Sequence, residues 1–400
     1  MPDDMTTDDL DGFRADVHAW LMANCPAEMR EPLTDERQLC GGGRRWRFAN
    51  EAQRHWLERM AARGWTVPEW PVRYGGGGLG SMQAAILREE MRNLGCRPPL
   101  YSSGLSMLGP ALLKYGSDAQ KFEHLPRIAR GEIRWCQGFS EPGAGSDLAS
   151  LKTRAQDCGD HLLVDGEKIW TSHGDAADWI FCLVRTDFAA PKHKGIGFLL
   201  IDMASPGVST RPIRLISGVS PFCGTLFDNV RVPKANLVGA PNAGWDIAKY
   251  LLTHEREMIG GRDVRVGAQR PLYELAVREI GLERGRLVDA ALRTDLACYE
   301  IDSLAFDLTI RRVRERSASA QGIGALSSML KYYSAALIQR RQELTMSIAG
   351  TRALLLESDG ATPGETARGW LSSRGHSIAG GTSEIQLNII AKQVLHLPGT

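Results

Sequence analysis

The residue best suited to chemistry is a glutamate set in an apolar run. In Tyr250-Leu-Leu-Thr-His-Glu-Arg-Glu-Met-Ile259, a helical repeat gives Glu255 the neighbours Leu251 and Leu252 on one side and Met258 and Ile259 on the other. All four are apolar, whereas Glu257 has the polar His254 three residues before it. The pattern predicts that Glu255 points inward. Ionising a carboxyl there costs free energy, so its pKa moves up toward the range in which a general base works. A carboxylate neutralised by an arginine of another helix would produce the same pattern.

Two further segments suit a flat ring with a polar edge. Residues 137–147 read Gln-Gly-Phe-Ser-Glu-Pro-Gly-Ala-Gly-Ser-Asp, a glycine-rich loop that can bring backbone N–H groups against an anion or a heterocycle. A plain turn between domains would have the same composition. Lys168-Ile-Trp-Thr-Ser-His173 ends a β-run with a large aromatic beside two hydroxyls, which suits holding a ring by its face and its edge. A strand-end tryptophan that caps the core is the alternative. Gly75, Gly77 and Gly80 match the G-x-G-x-x-G template, but Trp70-Pro-Val-Arg-Tyr74 before them is no β-run and both flanks are helical. A tight turn between helices is expected there. Gly41 to Gly43, followed by Arg44, Arg45 and Arg47, reads as a solvated loop.

The elements that must position these residues follow a simple order. Apolar spacing of three and four predicts helices over Asp9 to Met22, Phe48 to Arg63, Met82 to Leu94 and Ala119 to Leu125. From Arg134 to about Gly239 the chain changes to short β-rich runs broken by Gly, Asp and Pro. The helical period returns over Trp245 to Val266, Asp289 to Val313, Ala325 to Ile348 and Ser383 to Val394. The predicted fold class is α+β. It comprises an N-terminal helical domain (1–133), a middle antiparallel, barrel-like β-domain (134–240) and a C-terminal four-helix bundle (241–400).

Composition excludes several classes of function. The 400 residues are 43% hydrophobic and 24% charged, and 48 basic against 47 acidic side chains leave a net charge of +1. That balance argues against nucleic acid and against a polybasic membrane patch. No apolar run approaches the roughly 18 residues of a membrane span, and the acidic N-terminus is unlike a secretory signal. Eight cysteines without a CxxC pair read as reduced thiols, and nine histidines show no metal-ligand spacing. A cytoplasmic protein without a metal is expected.

Taken together, these segments resemble the acyl-CoA dehydrogenase family over nearly the whole chain. Phe139-Ser-Glu-Pro-Gly-Ala-Gly-Ser-Asp147 is similar to the family's first signature, and Lys168-Ile-Trp-Thr-Ser172 to its second flavin segment. Ala379-Gly-Gly-Thr-Ser-Glu-Ile-Gln386 with Asn388-Ile-Ile-Ala-Lys392 resembles its C-terminal signature. The resemblance implies FAD between the β-domain and the C-terminal bundle, with Phe139, Ser140, Trp170, Thr171 and Ser172 at the flavin and Thr382 and Glu384 near the cofactor. It places Ser146 along the CoA arm, Arg256 near the same channel, and Gly380 and Gly381 beside the substrate. The implied reaction removes the α-proton of an acyl-CoA thioester while the β-hydrogen leaves as hydride to the flavin, giving the trans-2-enoyl-CoA. Electrons then pass to an electron-transfer flavoprotein.

Three departures from the family pattern sharpen this reading. Straight-chain enzymes carry their glutamate just before the Gly-Thr of the C-terminal signature, where this chain has Gly380. A minority, including isovaleryl-type enzymes, place it on the helix that opens the C-terminal domain, directly before an arginine, as in Glu255-Arg256. The Arg-x-x-Phe-Gly segment that touches FAD from a neighbouring subunit is not found between Arg262 and Ile310, and Ser347 stands where a glutamine usually contacts the adenosine side. Two-subunit bacterial dehydrogenases share these departures, and Ala248 to Arg256 resembles the large subunit of the pimeloyl-CoA type. A homo- or hetero-oligomer, dimer or tetramer, is expected. The competing readings are a non-catalytic or half-site subunit and an oxygen-using oxidase or monooxygenase on the same fold.

Overall fold

The computed structural model describes residues 7–33, 38–260, 271–317, 326–356 and 364–398, without the side chains of 7, 253–260 and 314–317. These residues form two compact units. One runs to Leu251 apart from Arg214–Ser220, and the other holds Arg214–Ser220 and the residues from Leu252 onward.

The first unit opens with helices α1 (Thr7–Asn24), α2 (Glu51–Ala62), α3 (Ser81–Asn93), α4 (Gly109–Tyr115) and α5 (Asp118–Ala129). Helices α1, α2 and α3 bury Val17, Leu21, Trp56, Met60 and Leu87 in one cluster. Polar ends fix where they start. Asn50 accepts the Gln53 N–H at 2.8 Å at the start of α2, and Ser117 with Gln120 forms a capping box on α5. Helix α4, seven residues long, is too short to leave a readable period and is absent from the sequence reading.

The Gly75 to Gly80 segment is the expected tight turn, linking a 3₁₀ turn at Val72–Tyr74 to α3. Gly41 to Gly43 overturns the expectation of a solvated loop. Gly41 and Gly42 are buried, and Gly43 N–H donates to Gly131 O at 2.8 Å. A Cβ on Gly42, whose φ is +65°, would lie 2.6 Å from Gly131 O. The glycines are there so that two backbones can touch. The arginines that follow are exposed or partly so, and Arg44 N and Arg134 N both donate to Asp178 Oδ2 at 2.9 Å.

Seven strands follow: β1 (Trp135–Gly138), β2 (Arg154–Asp157), β3 (His161–Ser172), β4 (Trp179–Arg185), β5 (Ile196–Asp202), β6 (Val208–Ile213) and β7 (Phe222–Pro233). Their order is β1-β4-β2-β3-β7-β6, with β5 also against β4. Most pairs are antiparallel, as expected, but β1 and β2 each run parallel to β4. Strands β4 and β5 are buried along almost their whole length, which is why they read as unbroken apolar runs. Val164, Ile180, Cys182, Leu199, Phe227 and Val230 form the core of the sheet.

Helix α6 (Gly244–Gly260) begins in the first unit, and α7 (Leu272–Ile280), α8 (Ala290–Ser317), α9 (Leu326–Ala349), α10 (Glu365–Ser373) and α11 (Ser383–Ile389) belong to the second. Leu272, Leu296, Phe306, Ile310, Leu330, Leu337 and Leu344 pack together there. Helices α7 and α10 join the four helical runs expected from sequence; at nine residues each they carry too few turns for a clear period. Six of the eight cysteines are buried free thiols; Cys158 and Cys298 are exposed. No described helix is long and apolar enough to cross a membrane.

Candidate active site

Trp170 owes its position to a break in the β3–β7 ladder. Lys168 pairs with Thr225 but Thr171 pairs with Cys223, so β3 carries one extra residue between them. Trp170 takes up that residue with φ +62°, a conformation that costs a bulky side chain about 1–3 kcal/mol. The indole is left 50% exposed, its edge on Phe222 with centroids 5.9 Å apart. Ser172 is exposed beside it. Thr171 turns the other way: it is fully buried and accepts a hydrogen bond from Thr225 Oγ1 at 3.1 Å.

The loop after β1 is tied to β3 by backbone and by charge. Ile169 N–H donates to Ser140 O at 2.9 Å. Lys168, with no exposed surface, donates from Nζ to Phe139 O at 3.1 Å and to Glu141 Oε1 at 2.7 Å. Glu141 also accepts from Lys152 N at 2.6 Å and Thr153 N at 2.8 Å. Burial works to raise its pKa, but Lys168 and these donors outweigh it and hold the carboxyl below the usual carboxylate range. Neither residue was given a role by sequence reasoning. They are 27 positions apart, and no local pattern pairs a lysine with a glutamate at that distance; the strand alignment does.

The Phe139 ring packs inward, edge-on to Phe181 at 6.0 Å and Phe198 at 6.3 Å, so any ligand contact from this residue is through its backbone. Ser140 is half-buried, and Ser146 is exposed further along the loop.

In the second unit, the C-terminal signature is a glycine turn leading into a capped helix. Gly380 and Gly381 have φ of +64° and +90°, and Thr382 caps α11 by accepting from Ile385 N at 3.2 Å. Gln386 Nε2 donates back to Gly380 O at 3.0 Å. Lys331 on α9, almost fully buried, donates to Gly381 O at 2.6 Å and His376 O at 3.1 Å. Glu384 is exposed; its own N–H, the Thr382 hydroxyl and then Lys331 keep its carboxyl below the usual range.

Glu255 and Arg256 sit on α6, with their side chains outside the described residues. Ile247, Ala248 and Leu251, earlier on the same helix, have no exposed surface. Among the described residues no group of three or more His, Cys, Asp or Glu could hold a metal ion.

An exposed indole, an adjoining serine hydroxyl and a loop backbone with its carbonyls turned inward form a face suited to a planar heterocycle with a polar edge, and the isoalloxazine of FAD meets that description. Residues 36–132, 136–230 and 242–395 match the models for the acyl-CoA dehydrogenase N-terminal, middle and C-terminal domains, and the chain belongs to the acyl-CoA dehydrogenase family. It is 34% identical to "Acyl-CoA dehydrogenase IpdE1" of Mycobacterium tuberculosis, over 98% of each chain. It is 31% identical to "Acyl-CoA dehydrogenase FadE26" of the same organism, over 96% of each. Among solved structures, the "Tcur3481-Tcur3483 steroid ACAD" superposes with TM-score 0.77 at 30% identity over 99% of both chains. The ChsE4-ChsE5 complex of M. tuberculosis gives 0.72 at 28% identity over the full length of both.

Proposed function

We propose that the protein is an FAD-dependent dehydrogenase that oxidises an acyl-CoA thioester to the trans-2-enoyl-CoA, with Glu255 as the base. What supports this is the sequence around Glu255, apolar three and four residues to either side and directly before Arg256, in a chain whose Gly380 cannot act as a base. Bound FAD supplies the acceptor for the β-hydrogen, which leaves with its electron pair. Glu255 takes the α-proton at its carboxylate, and an apolar setting raises its affinity for that proton. Trp170 and Ser172 hold the ring by face and edge, and the backbone at Phe139–Ser140 adds hydrogen bonding. Thr171 supports β7 from inside the sheet. Thr382 and Glu384 are assigned to the rest of the cofactor, Ser146 and Arg256 to the CoA arm, and Gly380 and Gly381 to the acyl group. The domain boundaries follow the same reading, at residues 133 and 240.

The acyl group is assigned to the bulky, branched or cyclic class. Glycine at 380 removes a side chain where straight-chain enzymes carry their glutamate, and a solved relative is named as a steroid enzyme. An electron-transfer flavoprotein takes the electrons. The deciding experiment screens a CoA-thioester library anaerobically for flavin bleaching, with flavin per chain counted in the same preparation. Bleaching by cyclic or branched thioesters supports the proposal; a coloured protein bleached by none of them overturns it. Admission of air then separates a dehydrogenase from an oxidase, since immediate reoxidation with peroxide release marks the oxidase.

A second reading is a subunit that completes its flavin site only with a different chain. Ser347 favours it: its hydroxyl is bonded back to Glu343 O at 3.1 Å on its own helix, and two similar solved structures are named as two-component assemblies. A colourless, stable protein when purified alone supports this reading.

A further inference from the structure

A trans peptide is planar, so its C=O and N–H point in opposite directions. The peptide joining Phe139 to Ser140 has its carbonyl turned into the β-domain, where Lys168 Nζ holds it at 3.1 Å. Its N–H, on Ser140, is therefore aimed away from the buried lysine, and among the described residues it has no acceptor. The next carbonyl, of Ser140, is held inward as well, by Ile169 N. Lys168 lies two positions before Trp170, so one side chain ties the loop to the strand that presents the indole. Glu141 completes the clamp by pairing with Lys168 and anchoring the loop to Lys152 and Thr153.

We propose that Lys168, with Glu141, is a positioning residue for the flavin, turning the Ser140 N–H outward as a donor to the polar edge of the ring. This rests on the flavin reading above. A buried lysine whose only task was stability would be served as well by an apolar side chain of similar volume, because desolvating a charge pair offsets most of its attraction. A lysine that must hold one named carbonyl would not.

The test compares wild type, K168M and the double variant K168Q/E141Q, which removes both charges and keeps an amide donor for the Phe139 carbonyl. Each is stripped of flavin, checked by circular dichroism and thermal melting, and titrated with FAD while the visible spectrum is recorded. The expected result is a loss of about tenfold in FAD affinity for K168M, with an altered flavin absorbance envelope, and recovery to within about threefold in K168Q/E141Q. Wild-type affinity and spectrum in K168M, or equal losses in both variants, would overturn the proposal. Should K168M fail to fold, wild-type protein labelled with ¹⁵N-serine decides the matter: FAD should shift the Ser140 amide resonance strongly, and an unmoved resonance sinks the idea. A wild-type protein that takes up no FAD at all would instead remove the flavin reading itself.

Discussion

The side chain of Gln386 occupies the space that a side chain on Gly381 would need: its Nε2 lies 2.5 Å from where a Cβ would stand, and donates at 3.0 Å to Gly380 O. The turn that opens α11 is thus closed from within by a residue of the helix it precedes. Gly381→Ala combines that clash with a φ of +90° and should cost about 1–3 kcal/mol. Gly143→Ala, with nothing within 4 Å of its Cβ, should change stability by no more than about 1 kcal/mol. Urea unfolding of the two variants beside wild type checks both, and an equal effect would contradict both the clash and the backbone strain at Gly381.

Glu255→Gln should keep its flavin and lose rapid bleaching by a good acyl-CoA substrate, slowing the step by at least about a hundredfold. Stopped-flow absorbance under anaerobic conditions measures it. Bleaching at the wild-type rate would move the base to another residue.

Trp170→Asn separates strain from binding. Asparagine tolerates positive φ better than tryptophan, so the stripped protein should melt at or above the wild-type temperature. The exposed ring face is gone, and FAD affinity should fall by about tenfold. A variant that binds FAD as wild type does would show that the indole is only a cap on β3.

The Glu141–Lys168 pair also predicts an acid dependence. Because the folded protein holds Glu141 below its ordinary value of 4.5, the pair's contribution is fully present above that value and is lost as pH falls through the folded pKa. Glu141→Gln should therefore be less stable than wild type at neutral pH, since it leaves Lys168 buried without its counter-ion. That gap should narrow as the medium is acidified below about pH 4.5. Chemical unfolding across pH 3 to 7, roughly the range in which carboxylates titrate, checks this; a constant gap would contradict the ionised pair.

Much of this molecule is legible in its sequence. The α-β-α order and the β-rich segments around Phe139 and Trp170 follow from residue type and spacing, because helix and strand periods are local properties of the chain. What escaped that reading depends on partners far away in sequence. Gly41 to Gly43 looked like a solvated loop until Gly131 was found against it. Thr171 could not be told from Trp170 as a surface residue until the bulge in β3 separated their directions. Lys168 and Glu141 stood in recognised segments without a role until strand register brought the ammonium to the carboxylate and the Phe139 carbonyl. Pattern fixes which elements form and which face is apolar; register, close backbone approach and burial of charge are decided only when distant elements pack, because each is a property of a pair.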